Sequence, residues 1–161
     1  MKTLNKELSV GDMAVQFQAM DETGKTHSLK NYRGKTVILY FYPKDQTSGC
    51  TKEACDFRDF SSQFSKKGAV VLGVSPDSAK SHQNFKDKYS LSFPLLVDED
   101  KTLCKAYGVW KEKSMYGRKY MGIERSTFVI GPDGRIEEVF RKVKVPGHVQ
   151  ELLGKMGTVP N

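Results

Sequence analysis

The apolar positions of the chain fall into short β-branched and aromatic runs, separated by stretches whose apolar residues recur every three or four positions. Thr36–Tyr42 is the longest run and predicts a buried strand, ended by Pro43, which has no N–H to give a ladder. Ala69–Ser75 reads as the next buried strand and Leu95–Val97 as a short third one. Between the first two, Ala54, Phe57, Phe60 and Phe64 recur at helical steps and predict one helix from about Thr51 to Lys66, closed by Gly68. Ser78 is placed to N-cap a polar helix to about Tyr89, and Asp98–Asp100 open another around Thr102–Tyr107. Ser126–Ile130 and Arg135–Phe140 flank Gly131-Pro132-Asp133-Gly134, a hairpin signal; Gly147–Lys155 reads as the last helix and the tail to Asn161 as loose. Near the start, Phe17–Met20 and Thr26–Leu29 flank the turn Asp21–Lys25 as a further short hairpin.

Strands alternating with helices imply βαβ units with a parallel centre, and the late hairpin adds antiparallel strands. The expected fold is α/β, a thioredoxin-like three-layer sandwich with an N-terminal β-hairpin extension, as a single domain over residues 1–161 with no linker or repeat. Such sheets place their sites at the C-terminal ends of central strands, here where Thr36–Tyr42 meets the next helix.

Charge changes this picture little. The formal net charge is +7, but the basic residues are spread along the chain, with short local excesses only at Lys111–Lys119 and Arg141–Lys144. Neither excess interleaves aromatics for stacking, so a solvated basic surface is expected and no nucleic-acid partner. No apolar run reaches membrane-spanning length and Met1–Leu8 lacks a signal-peptide core, so the expectation is no membrane partner and a cytoplasmic protein. Three cysteines are too few for a disulfide scaffold, and His27, His82 and His148 are scattered without ligand spacing, so no metal is expected.

The chemistry concentrates in Pro43-Lys44-Asp45-Gln46-Thr47-Ser48-Gly49-Cys50-Thr51-Lys52-Glu53-Ala54-Cys55. A cysteine where a helix begins faces unpaired backbone N–H groups and the positive end of the helix dipole, which favour the nucleophilic thiolate. On one helix, Cys50 and Cys55 are separated by about 7.5 Å of rise and roughly 140° of rotation, so their Cα atoms lie about 8.6 Å apart. A disulfide needs about 4.4–6.8 Å, so a bond between them requires the first turns to unwind. Cys50 continues through Ala54 and Phe57 on the buried stripe while Cys55 points away. That arrangement suits a nucleophile for a small substrate and a resolving partner; peroxide fits, because the sulfenic acid it leaves condenses with a second thiol. Thr47 offers a hydroxyl to a peroxide oxygen or the thiolate, or serves as an ordinary loop or N-cap residue; Pro43 would shield the sulfur from water. A fixed cation is also wanted, and spacing does not choose among the many candidates. Cys104, beside Leu103 and Tyr107, reads as a small core residue, with a backup resolving role as the alternative.

Pro43-x-x-x-Thr47-x-x-Cys50 resembles the peroxiredoxin active-site motif, and Leu39–Thr51 is similar to the bacterioferritin comigratory protein (peroxiredoxin Q) subfamily. The resemblance runs from Val10-Gly11-Asp12 through Tyr107-Gly108-Val109-Trp110 to the last helix, departing where Val15 stands in place of a common proline. It implies a thiol-dependent peroxidase acting on hydrogen peroxide or organic hydroperoxides, in antioxidant defence and redox homeostasis. Cys50 would be peroxidatic and Cys55 resolving through an intramolecular Cys50–Cys55 disulfide. Arg125, before a late strand, would be the missing cation, and Glu53 would bond it. The resemblance further implies thioredoxin as reductant, no bound cofactor, and a monomer or weak dimer. Two other readings stay open on the residues alone: a thiol–disulfide oxidoreductase acting on protein disulfides, and a binding or chaperone module using the basic surface.

Overall fold

The computed structural model describes residues 7–156, so most of the N-terminal segment and the end of the tail lie outside the described residues. In chain order the elements are β1 (Gln18–Met20), β2 (Thr26–Ser28), β3 (Thr36–Phe41), α1 (Ser48–Asp59), α2 (Ser61–Lys66), β4 (Ala69–Ser75) and α3 (Ala79–Tyr89). Then follow β5 (Leu95–Val97), α4 (Thr102–Ala106), β6 (Trp110–Met115), β7 (Arg118–Ile123), β8 (Ser126–Ile130), β9 (Ile136–Phe140) and α5 (His148–Lys155).

The central sheet has the order β5–β4–β3–β8–β9. β3, β4 and β5 pair in parallel, whereas β8 pairs antiparallel with β3 and with β9. The strand period of two sends alternate residues of β3 to opposite faces. Val37, Leu39 and Phe41 pack with Leu103, Cys104 and Tyr107 around α4, alongside Leu29 beyond the N-terminal hairpin. Ile38, Tyr40 and Tyr42 pack with Cys50, Ala54 and Phe57 of α1, Phe85 of α3, and Val149 and Leu152 of α5. Two apolar layers thus sandwich the sheet, and the cysteine helix lies on the second. β1 and β2 form a separate antiparallel pair, the expected N-terminal hairpin, whose turn is tied by Asp21 Oδ1 accepting from the Thr23 and Lys25 N–H groups. Ser78 caps α3 as the sequence predicts, its Oγ accepting from Ser81 N–H at 3.1 Å.

Two expectations are corrected. The helix expected over 51–66 begins three residues earlier and breaks at Phe60, whose φ of −102° and ψ of 12° leave the helical basin. The break brings the Phe57 and Phe64 rings to 5.8 Å, whereas seven residues of straight helix would separate them by about 10.5 Å of rise. Both rings pack into the same core cluster. The segment 110–123, for which the sequence pattern predicts no element, is the β6–β7 hairpin. It turns through Tyr116 and Gly117, with φ of 52° and 79°, the two positive values that a two-residue type I′ turn requires.

Candidate active site

Cys50 is the third residue of α1 and is 1% exposed, below a surface loop and against Tyr40, Tyr42 and Phe57. Thr51 N–H makes an intrahelical bond, to Thr47 O at 2.8 Å, so the N–H groups of Ser48, Gly49 and Cys50 stand in the first turn, where a helix presents its positive end. Cys55 is on the same helix, half-buried, and both thiols are free. The helix between them is intact, so the pair stands at the helical separation worked out from spacing rather than at bonding distance.

Arg125, in the two-residue link between β7 and β8, supplies the cation. Its Nη2 lies 3.4 Å from Cys50 Sγ and its Nη1 donates to Glu53 Oε1 at 2.6 Å. Burial works against the guanidinium charge, but Glu53 and Cys50 outweigh it and hold Arg125 above the usual arginine range. Gly49 makes room for it, since a Cβ there would stand 3.2 Å from Arg125 Nη2. Glu53 has no exposed surface, and its Oε2 has no hydrogen-bond partner among the described residues. Burial pushes its carboxyl up, and Arg125 only partly offsets this, leaving it at about 7. Glu53 thus aims Arg125 while carrying less than a full compensating charge at neutral pH.

Pro43 is half-buried just past β3, and Thr47 is exposed at the N-cap position of α1. Thr47 does not cap the helix with its side chain; its hydroxyl donates to Lys44 O at 2.8 Å. With its proton engaged there, that oxygen can only accept, as it would from a hydroperoxide O–H. The structure therefore brings Cys50, Glu53 and Arg125 together at the start of α1, has Pro43 and Thr47 in the β3–α1 connection that precedes it, and keeps Cys55 on the same helix.

Several neighbours were not singled out in the sequence. Lys113 on β6 is a second cation in the field of Cys50, its ammonium lowered by burial and by the charge of Arg125. Asp45, within the motif, is buried and bonded to Tyr42, Ser81 and His82. Asp45, Asp77 and His82 bring ligand-type atoms within 4.8 Å of one another. Asp45 Oδ2 and His82 Nδ1 stand at 2.6 Å, the distance of a shared proton. Two ligands about 2.0–2.2 Å from one tetrahedral ion would stand roughly 3.4 Å apart, so this arrangement does not fit a metal. Cys104 is fully buried, and burial followed by Asp98 pushes its thiol far above the usual cysteine range, so it is an inert core residue.

Residues 10–139 match the AhpC/TSA family. The chain belongs to that family. It is 55% identical over 149 residues to a putative peroxiredoxin bcp of Coxiella burnetii, covering 92% of this chain and 99% of that protein. Among solved structures, a cysteine-to-serine variant of Xylella fastidiosa PrxQ superposes with a TM-score of 0.89 at 45% identity, covering 93% of this chain and 96% of that one. The bacterioferritin comigratory protein of Xanthomonas campestris, studied for its alkyl peroxide reduction activity, superposes with a TM-score of 0.83 at 45% identity, covering 87% and 89%. The chain is thus a thioredoxin-fold peroxiredoxin, a thiol-dependent peroxidase of the Bcp/PrxQ type.

Proposed function

We propose that Cys50 is the peroxidatic sulfur and Cys55 the resolving one. The Cys50 thiolate attacks the terminal oxygen of ROOH, forming the S–O bond as the O–O bond breaks; RO⁻ leaves and takes up a proton to become ROH. Arg125 stabilises the thiolate and the charge that develops on the departing oxygen, with Glu53 orienting its guanidinium. Thr47 accepts from the hydroperoxide O–H, and Pro43 screens the sulfur from water. The first turns of α1 then unwind, the Cys55 thiol displaces water from the Cys50 sulfenic acid, and the Cys50–Cys55 disulfide forms. An external dithiol, thioredoxin in this reading, reduces that disulfide by exchange and leaves oxidised, so no bound metal, haem or flavin takes part. Hydrogen peroxide and organic hydroperoxides are the substrates, and the protein acts as a monomer or weak dimer in the cytoplasm, in antioxidant defence and redox homeostasis.

The observation that carries this reading is the 3.4 Å approach of Arg125 Nη2 to a buried sulfur in the first turn of a helix. The test is turnover of hydroperoxide with thioredoxin, thioredoxin reductase and NADPH. Cys50→Ser should abolish it, and Cys55→Ser should reduce one equivalent of peroxide and recycle poorly. Retained turnover in Cys50→Ser rejects the peroxidatic assignment, and a normal steady-state rate in Cys55→Ser rejects the resolving one.

A further inference from the structure

We propose that Asp45 and His82 form a buried ion pair that positions the Pro43–Thr47 loop to receive peroxide, which makes both of them positioning residues for the reaction. The inference rests on Cys50 being the attacking sulfur.

The loop has little else to hold it. Lys44, Gln46, Thr47 and Ser48 are exposed, and only the Asp45 side chain turns fully inward. There it meets three elements at once. Tyr42 Oη, at the end of β3, donates to Asp45 Oδ1 at 2.6 Å; Ser81 Oγ, on α3, donates to Oδ2 at 2.8 Å; His82 Nδ1, also on α3, faces Oδ2 at 2.6 Å. The loop backbone is tied as well, with Asp45 N–H donating to Asp77 Oδ2 at 2.8 Å just beyond β4.

The partners assign the protons. His82 Nε2 faces Leu96 O at 2.8 Å, and a carbonyl only accepts, so Nε2 carries hydrogen. Both Asp45 oxygens already receive hydroxyl hydrogens, which leaves Nδ1 as the donor to an ionised carboxylate. Burial works against the imidazolium, but the Asp45 bond and charge, and then Leu96 O, lift His82 above its ordinary value. The result is a cation and an anion facing each other in the interior, with side-chain exposures of 0% and 1%. An apolar pair of the same volume would usually hold a fold as well or better, so stability alone does not account for such a pair beneath a surface loop.

Position does account for it. Gln46 stands at φ 62°, a left-handed conformation that a non-glycine residue keeps only when its neighbours hold it. On one side of it Asp45 is pinned; on the other, Thr47 Oγ closes back onto Lys44 O. His82 therefore acts through Asp45 and the strained Gln46 on where the Thr47 oxygen lies relative to the sulfur.

The test compares two reactions of the reduced protein by stopped flow. Peroxide needs both the Cys50 thiolate and a placed Thr47; alkylation by iodoacetamide needs the thiolate alone. Asp45→Ala and His82→Phe should slow peroxide by ~10-fold or more, since an ångström of misplacement costs up to about a hundredfold. Alkylation of Cys50 should stay within about twofold in both. Asp45→Asn should restore the peroxide rate to within about threefold, because the amide can donate to a neutral His82 and to Ser81 while accepting from Tyr42. Peroxide rates at the wild-type level in Asp45→Ala and His82→Phe overturn the proposal, as does an equal fall in both reactions. Should those two variants not fold, Tyr42→Phe and Ser81→Ala each remove one hydroxyl from the carboxylate; the double variant should lose peroxide rate selectively, and an unchanged rate overturns the proposal. A wild-type protein no faster than free cysteine overturns the assignment of Cys50 and this inference with it, a failure read in the wild type alone.

Discussion

Glu53→Gln should make the protein more stable, by an amount that grows with pH. The folded state keeps the Glu53 proton up to about pH 7, whereas the unfolded chain releases it near 4.5. Between those values the folded state binds more protons, so stability falls as pH rises through the window and is level above it. At 1.36 kcal/mol per pH decade, the interval amounts to about 3 kcal/mol, and with Glu53 fully buried solvent screening does not reduce it. Glutamine imitates the protonated carboxyl and keeps an oxygen for Arg125 Nη1, so it escapes this loss. The assay is urea unfolding of the Cys50→Ser protein with and without Glu53→Gln, at pH 4.5 and at pH 8, the serine background removing the thiol's own titration. The two proteins should be about equally stable at pH 4.5, and the glutamine variant more stable by about 3 kcal/mol at pH 8. Because both share every other titrating group, including Asp21 (held down at about 2) and His82, only Glu53 contributes to the difference. A difference that does not change between the two pH values refutes the argument that burial outweighs Arg125 at this carboxyl.

Gly49→Ala should slow peroxide consumption, because its Cβ would stand 3.2 Å from Arg125 Nη2, which must then back away from Cys50; a variant that folds and consumes peroxide at the wild-type rate would show that the close approach is dispensable. Cys104→Ala should keep full thioredoxin-dependent turnover, and in the native wild type Cys104 should resist alkylation under conditions that label Cys50; loss of turnover would revive a redox role for this buried thiol.

Local chemistry was legible in the sequence and long-range pairing was not. The strand runs, the Ser78 cap, the Asp21–Lys25 turn and the cysteine at a helix start each depend on residues a few positions apart, and each is where the sequence puts it. The break at Phe60 is invisible to periodicity, since Ala54, Phe57, Phe60 and Phe64 read as one continuous stripe whether or not the axis bends. The β6–β7 hairpin escaped because its exposed strands carry little apolar alternation, leaving only Tyr116-Gly117 as a turn signal. Arg125 lies 75 positions from Cys50, and only the family resemblance selected it among many cations. His82 looked like one of three scattered histidines until the fold brought it to Asp45 across 37 positions. Asp45 itself sat inside the motif, and nothing local marks which residue of an exposed loop turns inward.

The central claim, that Cys50 attacks peroxide and is then resolved by Cys55, is tested most directly by mixing the fully reduced protein with one equivalent of hydrogen peroxide, quenching by alkylation, and mapping the oxidised peptides by mass. The account predicts consumption far faster than by free cysteine, with Cys50 and Cys55 joined and Cys104 still a thiol. Slow consumption, or a bond that leaves out Cys50, would contradict it.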